Sequence, residues 1–461
     1  NLMVVRDLKL QNFGLTPLFV ELALFFLSLF LVYWTAIDWS KDSRRKPLLL
    51  RGARQVGKSS AIRNLGGKFK YFVEVNFDKN QDIHSLFNQN LSPQELCEQL
   101  SLIYNIPITP GETLLFLDEI QSCEAAISSL RYFYEDYPEL HIIAAGSLLE
   151  FALESLTSFG VGRIRSMYIY PFSFEEFLGA CKEDALWKAI SKASAERPLL
   201  EPIHRKALSL LKKFFVLGGM PEVVSAYTEG AQMLECLRIM DDLIISYRDD
   251  FSKYNKRVPE SRISEVFDSV VMNSGKPFVY AGAANANTKQ IKEALELLIK
   301  AGLVIPATHS SANGIPLGAE VNPKKRKMLL FDTGQFQRML GLDLSELILS
   351  DDLEVVNKGA IAEIFVGLEL QKSNSPYSKE ELYFWKREVK NSNAEVDYVF
   401  QQGENIIPLE VKAGTRGSMQ SMHLFISEKS SEFGVRCSSE NFSSFDKIKV
   451  IPLYAAGTIT K

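Results

Sequence analysis

The sequence predicts an α/β protein. A parallel sheet with helices on both faces comes first, then a helical stretch, a winged-helix-like region and a C-terminal α/β region. Three observations carry this expectation. A glycine-rich loop from Gly52 to Ser59 follows a short apolar run and opens a helical pattern. Apolar runs of strand length then alternate with helix-period segments as far as Leu178, the pattern of a parallel sheet. Near the C-terminus two alternating segments, Ala394–Phe400 and Ile406–Ala413, flank a turn around Gly403.

The first element is an apolar stretch within residues 1–38. Leu22 to Ile37 is broken only by Ser28 and Thr35, and Lys41, Arg44, Arg45 and Lys46 follow it. Extended over residues 15–37 it approaches membrane-spanning length, although Pro17 and Glu21 fall inside. A membrane anchor, a buried helix and a non-native upstream extension stay open. An anchor would leave the rest of the chain cytoplasmic, tethered to the inner face of the membrane. Over the 461 residues the net charge is −4, so any nucleic-acid contact must come from a local patch. The five cysteines form no C-x-x-C pair, which argues against a zinc site or disulfide frame and fits a reducing cytosol, so the chain is expected to be cytoplasmic with or without an anchor.

The core spans residues 39–180. Gly52-Ala53-Arg54-Gln55-Val56-Gly57-Lys58-Ser59 reads G-x-x-x-x-G-K-S, the phosphate-binding loop of nucleoside triphosphatases (the P-loop), and Ser60 extends it. Glycines let backbone N–H groups approach phosphates without a Cβ in the way, and the helix N-terminus adds partial positive charge. Lys58 is expected on the β and γ phosphates, and Ser59 on Mg²⁺. Tyr71–Phe77 is the next strand. Leu114–Leu117 follows and ends in Asp118-Glu119, at the carboxyl end of a strand where α/β sheets place ligands. Asp118 is expected to hold Mg²⁺ and Glu119 to polarise the attacking water as general base. His141–Ala145 and Met167–Tyr170 complete the strands. Ser147, after the fourth, is either a sensor of the γ-phosphate or a helix N-cap. Arg163, before the fifth, is a candidate arginine finger reaching a neighbouring subunit's site, with Arg165 as its competitor.

Residues 181–258 read as a helical lid broken at Gly218-Gly219-Met220-Pro221. Residues 259–345 resemble a winged helix. Thr288–Lys300 would be the recognition helix, with Lys289 and Lys292 near its start. Two strands, Leu303–Ala307 and Met328–Phe331, would flank a basic loop at Lys324-Lys325-Arg326-Lys327, a candidate DNA contact. In residues 346–461, Glu395 and Asp397 share one face of the first hairpin strand, and Glu410 and Lys412 share a face of the second. With Glu363, on a helix beginning near Gly359, the set Glu363, Asp397, Glu410 and Lys412 forms a candidate second metal site. It resembles the PD-(D/E)-x-K core of restriction-type nucleases. The alternative is the wet face of a hairpin.

Together these motifs resemble the bacterial and archaeal AAA-family ATPases that carry a C-terminal domain of unknown function with a nuclease-like core. The matching residues are Leu48–Ser60, Leu114–Gln121, Ala144–Glu150, Val161–Arg163, Tyr170–Leu178, Leu217–Glu222 and the pair EVDYVF and PLEVKAG. The resemblance runs from about Trp39 to the C-terminus. It implies ATP and Mg²⁺ as ligands and a homo-oligomer, and it adds weight to Arg163 as the finger. Two readings follow. In one, ATP hydrolysis is coupled to DNA binding or processing by the C-terminal regions. In the other, the chain is a slow ATP-dependent switch that binds an unidentified protein partner, with an inert nuclease-like domain.

Overall fold

The computed structural model of the chain describes residues 30–155, 162–254, 258–341, 358–390, 392–414 and 419–460. Most of the apolar stretch, residues 1–29, lies outside them.

Five strands, β1 (Leu48–Arg51), β2 (Tyr71–Asn76), β3 (Thr113–Asp118), β4 (His141–Ala145) and β5 (Arg165–Tyr168), form one parallel sheet in the order β2-β3-β4-β1-β5. β3 and β4 are buried along their whole length, which is why they read as continuous apolar runs. The fifth strand begins two residues earlier than Met167. Helix α1 (Phe30–Lys41) packs its Ala36 and Trp39 into the core, and the Trp39 indole donates to the Lys46 carbonyl at 2.7 Å. Nε2 of His141 lies 2.9 Å from the Ser40 carbonyl oxygen. The end of the apolar stretch is therefore part of the folded core. No helix among the described residues is long and apolar enough to cross a membrane. α2 (Lys58–Gly66) follows the glycine-rich loop, and α3 (Pro93–Tyr104) and α4 (Glu124–Asp136) lie between the next strands.

α5 (Phe174–Ala180), α6 (Asp184–Ile190), α7 (Glu201–Leu217), α8 (Pro221–Thr228) and α9 (Met233–Asp249) make the helical stretch. The break between α7 and α8 is a close approach of backbones. Gly218 has φ +69°, and a Cβ on Gly219 would lie 2.3 Å from the Phe172 carbonyl oxygen. The Phe172 N–H donates to the Gly219 carbonyl at 2.7 Å, and the Gly219 N–H donates to buried Asp332 at 2.6 Å.

α10 (Glu260–Met272) and α11 (Thr288–Lys300) precede a hairpin of β6 (Val304–Ser310) and β7 (Val321–Leu330). A helix and a strand pair are present here, but the arrangement departs from the expected winged helix in two features. Lys324–Lys327 lies inside β7 and not in a loop. The hairpin is also not free, because β6 pairs in parallel with β8 (Leu382–Lys386), making Ala307 the partner of Leu382. Beyond β8 come β9 (Glu395–Gln402), β10 (Asn405–Val411), β11 (Gly434–Ser438), β12 (Ser443–Phe445) and β13 (Ile448–Pro452). All eight strands form one mixed sheet, ordered β12-β13-β11-β10-β9-β8-β6-β7. The hairpin and the C-terminal region thus share a sheet. α12 (Thr333–Met339), α13 (Lys358–Lys372) and α14 (Gln420–Lys429) pack with it. One hydrophobic core runs without a break from Leu48 and Leu50 through Phe214 and Met240 to Phe365 and Tyr454.

Candidate nucleotide site

The carboxyl ends of β1, β3 and β4 open onto one cleft. The chain leaves β1 through Gly52, where a Cβ would sit 2.1 Å from the Ile169 carbonyl oxygen, so only glycine allows this close approach. Gly57 then caps α2 in a left-handed conformation and turns the first helical N–H groups toward the cleft. The Lys58 ammonium donates to the carbonyls of Gly52 (2.9 Å) and Ala53 (2.6 Å). Burial lowers its pKa to about 8, against the opposing pull of the Glu119 and Asp118 carboxylates.

The Ser59 hydroxyl donates to Asp118 at 3.0 Å, and the Asn76 amide donates to the same carboxylate at 3.2 Å. A hydroxyl and a carboxylate converging on one point are hard oxygen donors, and they fit Mg²⁺. Burial raises the Asp118 pKa, while the Ser59 hydrogen bond works the other way. Glu119 takes a left-handed backbone at φ +50°. Its carboxylate accepts from the Gln121 amide at 2.7 Å and from the Ser147 hydroxyl at 3.4 Å.

The cleft encloses about 430 Å³, within the range of small-ligand sites. Of the residues expected on the nucleotide, Arg54, Gln55, Gly57, Lys58, Ser59, Ser60, Asp118, Glu119 and Ser147 line it. Gly52, Ala53 and Val56 do not, and the Val56 side chain is fully buried in the core. Arg54 is tied to Asp250, which follows α9 and is 2 % exposed, and Lys253 holds the same carboxylate at 2.7 Å.

The opposite wall was not foreseen. Phe172, Ala180, Pro221 and Val224 supply apolar surface, and Glu222, Ser225 and Thr228 supply polar atoms. The Gly218-Gly219 step brings α8 over the loop. Only that glycine pair, followed one residue later by Pro221, hinted at it in the sequence. Phe172 is held from a third side, since the Lys372 ammonium at the end of α13 donates to its carbonyl at 3.0 Å.

Arg163 precedes β5, an outer strand running parallel to β1, so it lies at the end of the sheet away from the cleft. It pairs with Glu135 on α4. It cannot serve its own cleft. Arg165 is engaged by Asp42 at 3.6 Å and lies over the Tyr377 ring.

Residues 44–178 match a family model described as an AAA domain. The P-loop domain is of the AAA type. The AAA domain is followed by two matches to domains of unknown function, DUF8612 over residues 208–346 and DUF4143 over residues 358–456. The second coincides with the C-terminal domain of unknown function expected from the motifs. No curated protein matches the chain. Solved structures with partial likeness include the Aeropyrum pernix ORC2 protein in ADPNP–ADP complexes. It is 10% identical, with 69% of this chain and 87% of that chain covered and a TM-score of 0.35. The Aeropyrum pernix ORC1 protein in complex with DNA is 14% identical, with 66% and 88% covered and a TM-score of 0.28. A Thermotoga maritima RuvB variant is 14% identical, with 65% and 88% covered and a TM-score of 0.27. These scores describe loose overall likeness. The assignment of the AAA domain stands on the domain match and on the cleft.

The expected second metal site is assembled differently. Asp397 accepts from the Val411 N–H at 2.8 Å, so it does lie beside the second hairpin strand. Glu410 pairs with Lys412 at 2.5 Å, leaving its Oε2 buried and without a partner. Glu363 turns to Lys327, at 2.8 Å. Among the described residues no group of three or more His, Cys, Asp or Glu side chains is placed to hold a metal ion.

Proposed function

We propose that this chain is a Mg²⁺-dependent ATPase that works as a nucleotide-controlled switch. The observation that carries the proposal is the construction of the cleft. One wall is the phosphate loop of the AAA domain, and the other is α8, anchored through Gly219 to Asp332 and through Phe172 to Lys372. A nucleotide in this cleft would touch two parts of the chain at once, and so bias their relative arrangement.

The roles follow from position. The N–H groups of the loop and the Lys58 ammonium would hold the β and γ phosphates. Ser59 and Asp118 would hold Mg²⁺, which when bound neutralises charge on the phosphate oxygens. Glu119 would accept the proton of the attacking water, with Gln121 and Ser147 orienting its carboxylate. Pro221, Val224 and Phe172 would flank the base. Arg163 would act only in trans, in a homo-oligomer.

The basic run Lys324–Lys327 gives the DNA reading little support. Lys325 pairs with Glu388, Arg326 with Glu296, and Lys327 is buried. A protein partner is therefore the output favoured here. The test is amide exchange over α8 and α13 in ATP, in ADP and without nucleotide, alongside turnover with and without duplex DNA. Protection of both helices by ATP, with turnover indifferent to DNA, supports the switch. Identical exchange in all three states would sink it, and DNA-stimulated turnover would restore the DNA reading.

A further inference from the structure

Lys327 comes from β7, yet its ammonium lies among carboxylates of other elements. It is 2.8 Å from Glu363 on α13, 2.8 Å from Glu395 and 3.8 Å from Asp397, both on β9. The register explains the reach. Lys327 stands opposite Ala307 on β6, a side chain small enough for the lysine stem to pass over, and the ammonium lies 5.2 Å from the centre of the Phe384 ring on β8. Its outer side is closed by the segment after α10, where Gly275 and Phe278 bond to the backbone of Met328 and Arg326. The residue is 1 % exposed. An isolated buried ammonium would be strongly disfavoured, so it is the surrounding carboxylates that keep it charged. Burial works against its charge, but Glu363, Asp397 and Glu395 outweigh that and raise its pKa.

The carboxylates depend equally on the lysine. Glu395 has a second cation, Lys386, at 3.3 Å. Glu410 is taken by Lys412, and its one unpartnered oxygen is a single donor, short of the several a divalent cation needs. Glu363 and Asp397, two of the three acids of the expected metal site, face the ammonium instead, at 2.8 and 3.8 Å. We infer that the acidic cluster of the C-terminal sheet is completed by Lys327 as its resident cation, where a divalent metal would otherwise sit. The cluster is an ion lock that fastens the β6–β7 hairpin to the C-terminal region, and it is not the centre of a metal-dependent nuclease. Because β7 runs directly on to Asp332, which holds Gly219 beside the cleft, the lock fixes the strand on which the cleft's second wall hangs.

The test is Mn²⁺ binding, followed by electron paramagnetic resonance at sub-millimolar metal on the full chain without nucleotide. Four proteins are compared: the parent, Asp397→Asn, Lys327→Met and Lys327→Met with Asp397→Asn. Differences made by Asp397→Asn report this cluster alone, whatever binds near Asp118. The expected result is no difference between the parent and Asp397→Asn. Lys327→Met should gain one Mn²⁺ per chain, and the added Asp397→Asn should abolish it. Mn²⁺ bound by the parent and lost in Asp397→Asn overturns the inference. So does a Lys327→Met protein that melts cooperatively yet gains no Mn²⁺. If Lys327→Met does not fold, the charge-balanced Lys327→Met/Glu395→Gln chain replaces it, and the parent comparison decides by itself.

Discussion

The α7–α8 step offers the sharpest structural prediction. Gly219→Ala would place a methyl group 2.3 Å from the carbonyl oxygen and 2.8 Å from the amide nitrogen of Phe172. Both neighbours are backbone, so no side chain can swing aside, and one strand of chain must move. Overpacking of this kind costs about 1–3 kcal/mol. The movement also strains the Phe172–Gly219 hydrogen bond and the bond from the Gly219 N–H to the Asp332 carboxylate. A lost hydrogen bond to a charged group adds about 1.5–3 kcal/mol. The combined effect is roughly 3–5 kcal/mol against the closed arrangement, or more than about a hundredfold in the equilibrium for local opening. Hydrogen exchange followed by mass spectrometry reads this directly. Amides of residues 221–228 should exchange more than about a hundredfold faster, while those of β3 and β4 stay protected. ATP affinity should fall by about tenfold or more as the second wall is lost. Unchanged exchange over α8, with ATP affinity within about twofold of the parent, would refute the claim that this glycine latches the wall.

Three further outcomes follow from the same geometry. Lys58 has a depressed pKa of about 8, so its charge is present below that value and lost above it. ATP affinity measured by calorimetry should therefore weaken as pH rises from about 7 to about 9, and Lys58→Arg should lack this step. Gln121→Ala frees the Glu119 carboxylate from its 2.7 Å hydrogen bond, so kcat should fall roughly ten- to a hundredfold with KM little changed. Lys372→Met strips a buried cation from the Phe172 carbonyl and from Glu369, 4.0 Å away. Urea unfolding should show a loss of about 3 kcal/mol or more, with weaker ATP binding alongside.

Much of the AAA domain was legible because its signals are local. The loop Gly52–Ser59 and the pair Asp118-Glu119 sit at ends of strands that are buried on both faces, so an apolar run and a change of composition mark each boundary. The second wall was not legible in this way. Phe172 and Gly219 are distant in sequence, and their contact depends on a backbone approach that no periodicity encodes. The basic run misled for a different reason. Four consecutive cations look like a solvated loop, but they lie where a strand passes from solvent into the core: Lys324 and Lys325 are exposed, Arg326 is half-buried, and from Lys327 to Leu330 the strand is buried on both faces. The partners of Lys327, Glu363, Glu395 and Asp397, lie on other elements, so the pairing depends on the order of strands in the sheet. The apolar N-terminal stretch was ambiguous because a buried helix and a membrane helix share composition. Trp39 and Ala36, packed in the core, settle the end of it.

The measurement that tests the account most directly is Mg²⁺-dependent ATP turnover by the parent, Lys58→Ala and Glu119→Gln, with ATP binding followed in parallel. The account predicts that Lys58→Ala loses both binding and turnover. Glu119→Gln should keep ATP affinity and lose turnover by about 10²–10⁴-fold, the usual contribution of a general base. A Lys58→Ala chain that still binds ATP, or a Glu119→Gln chain that hydrolyses at the parental rate, would contradict it.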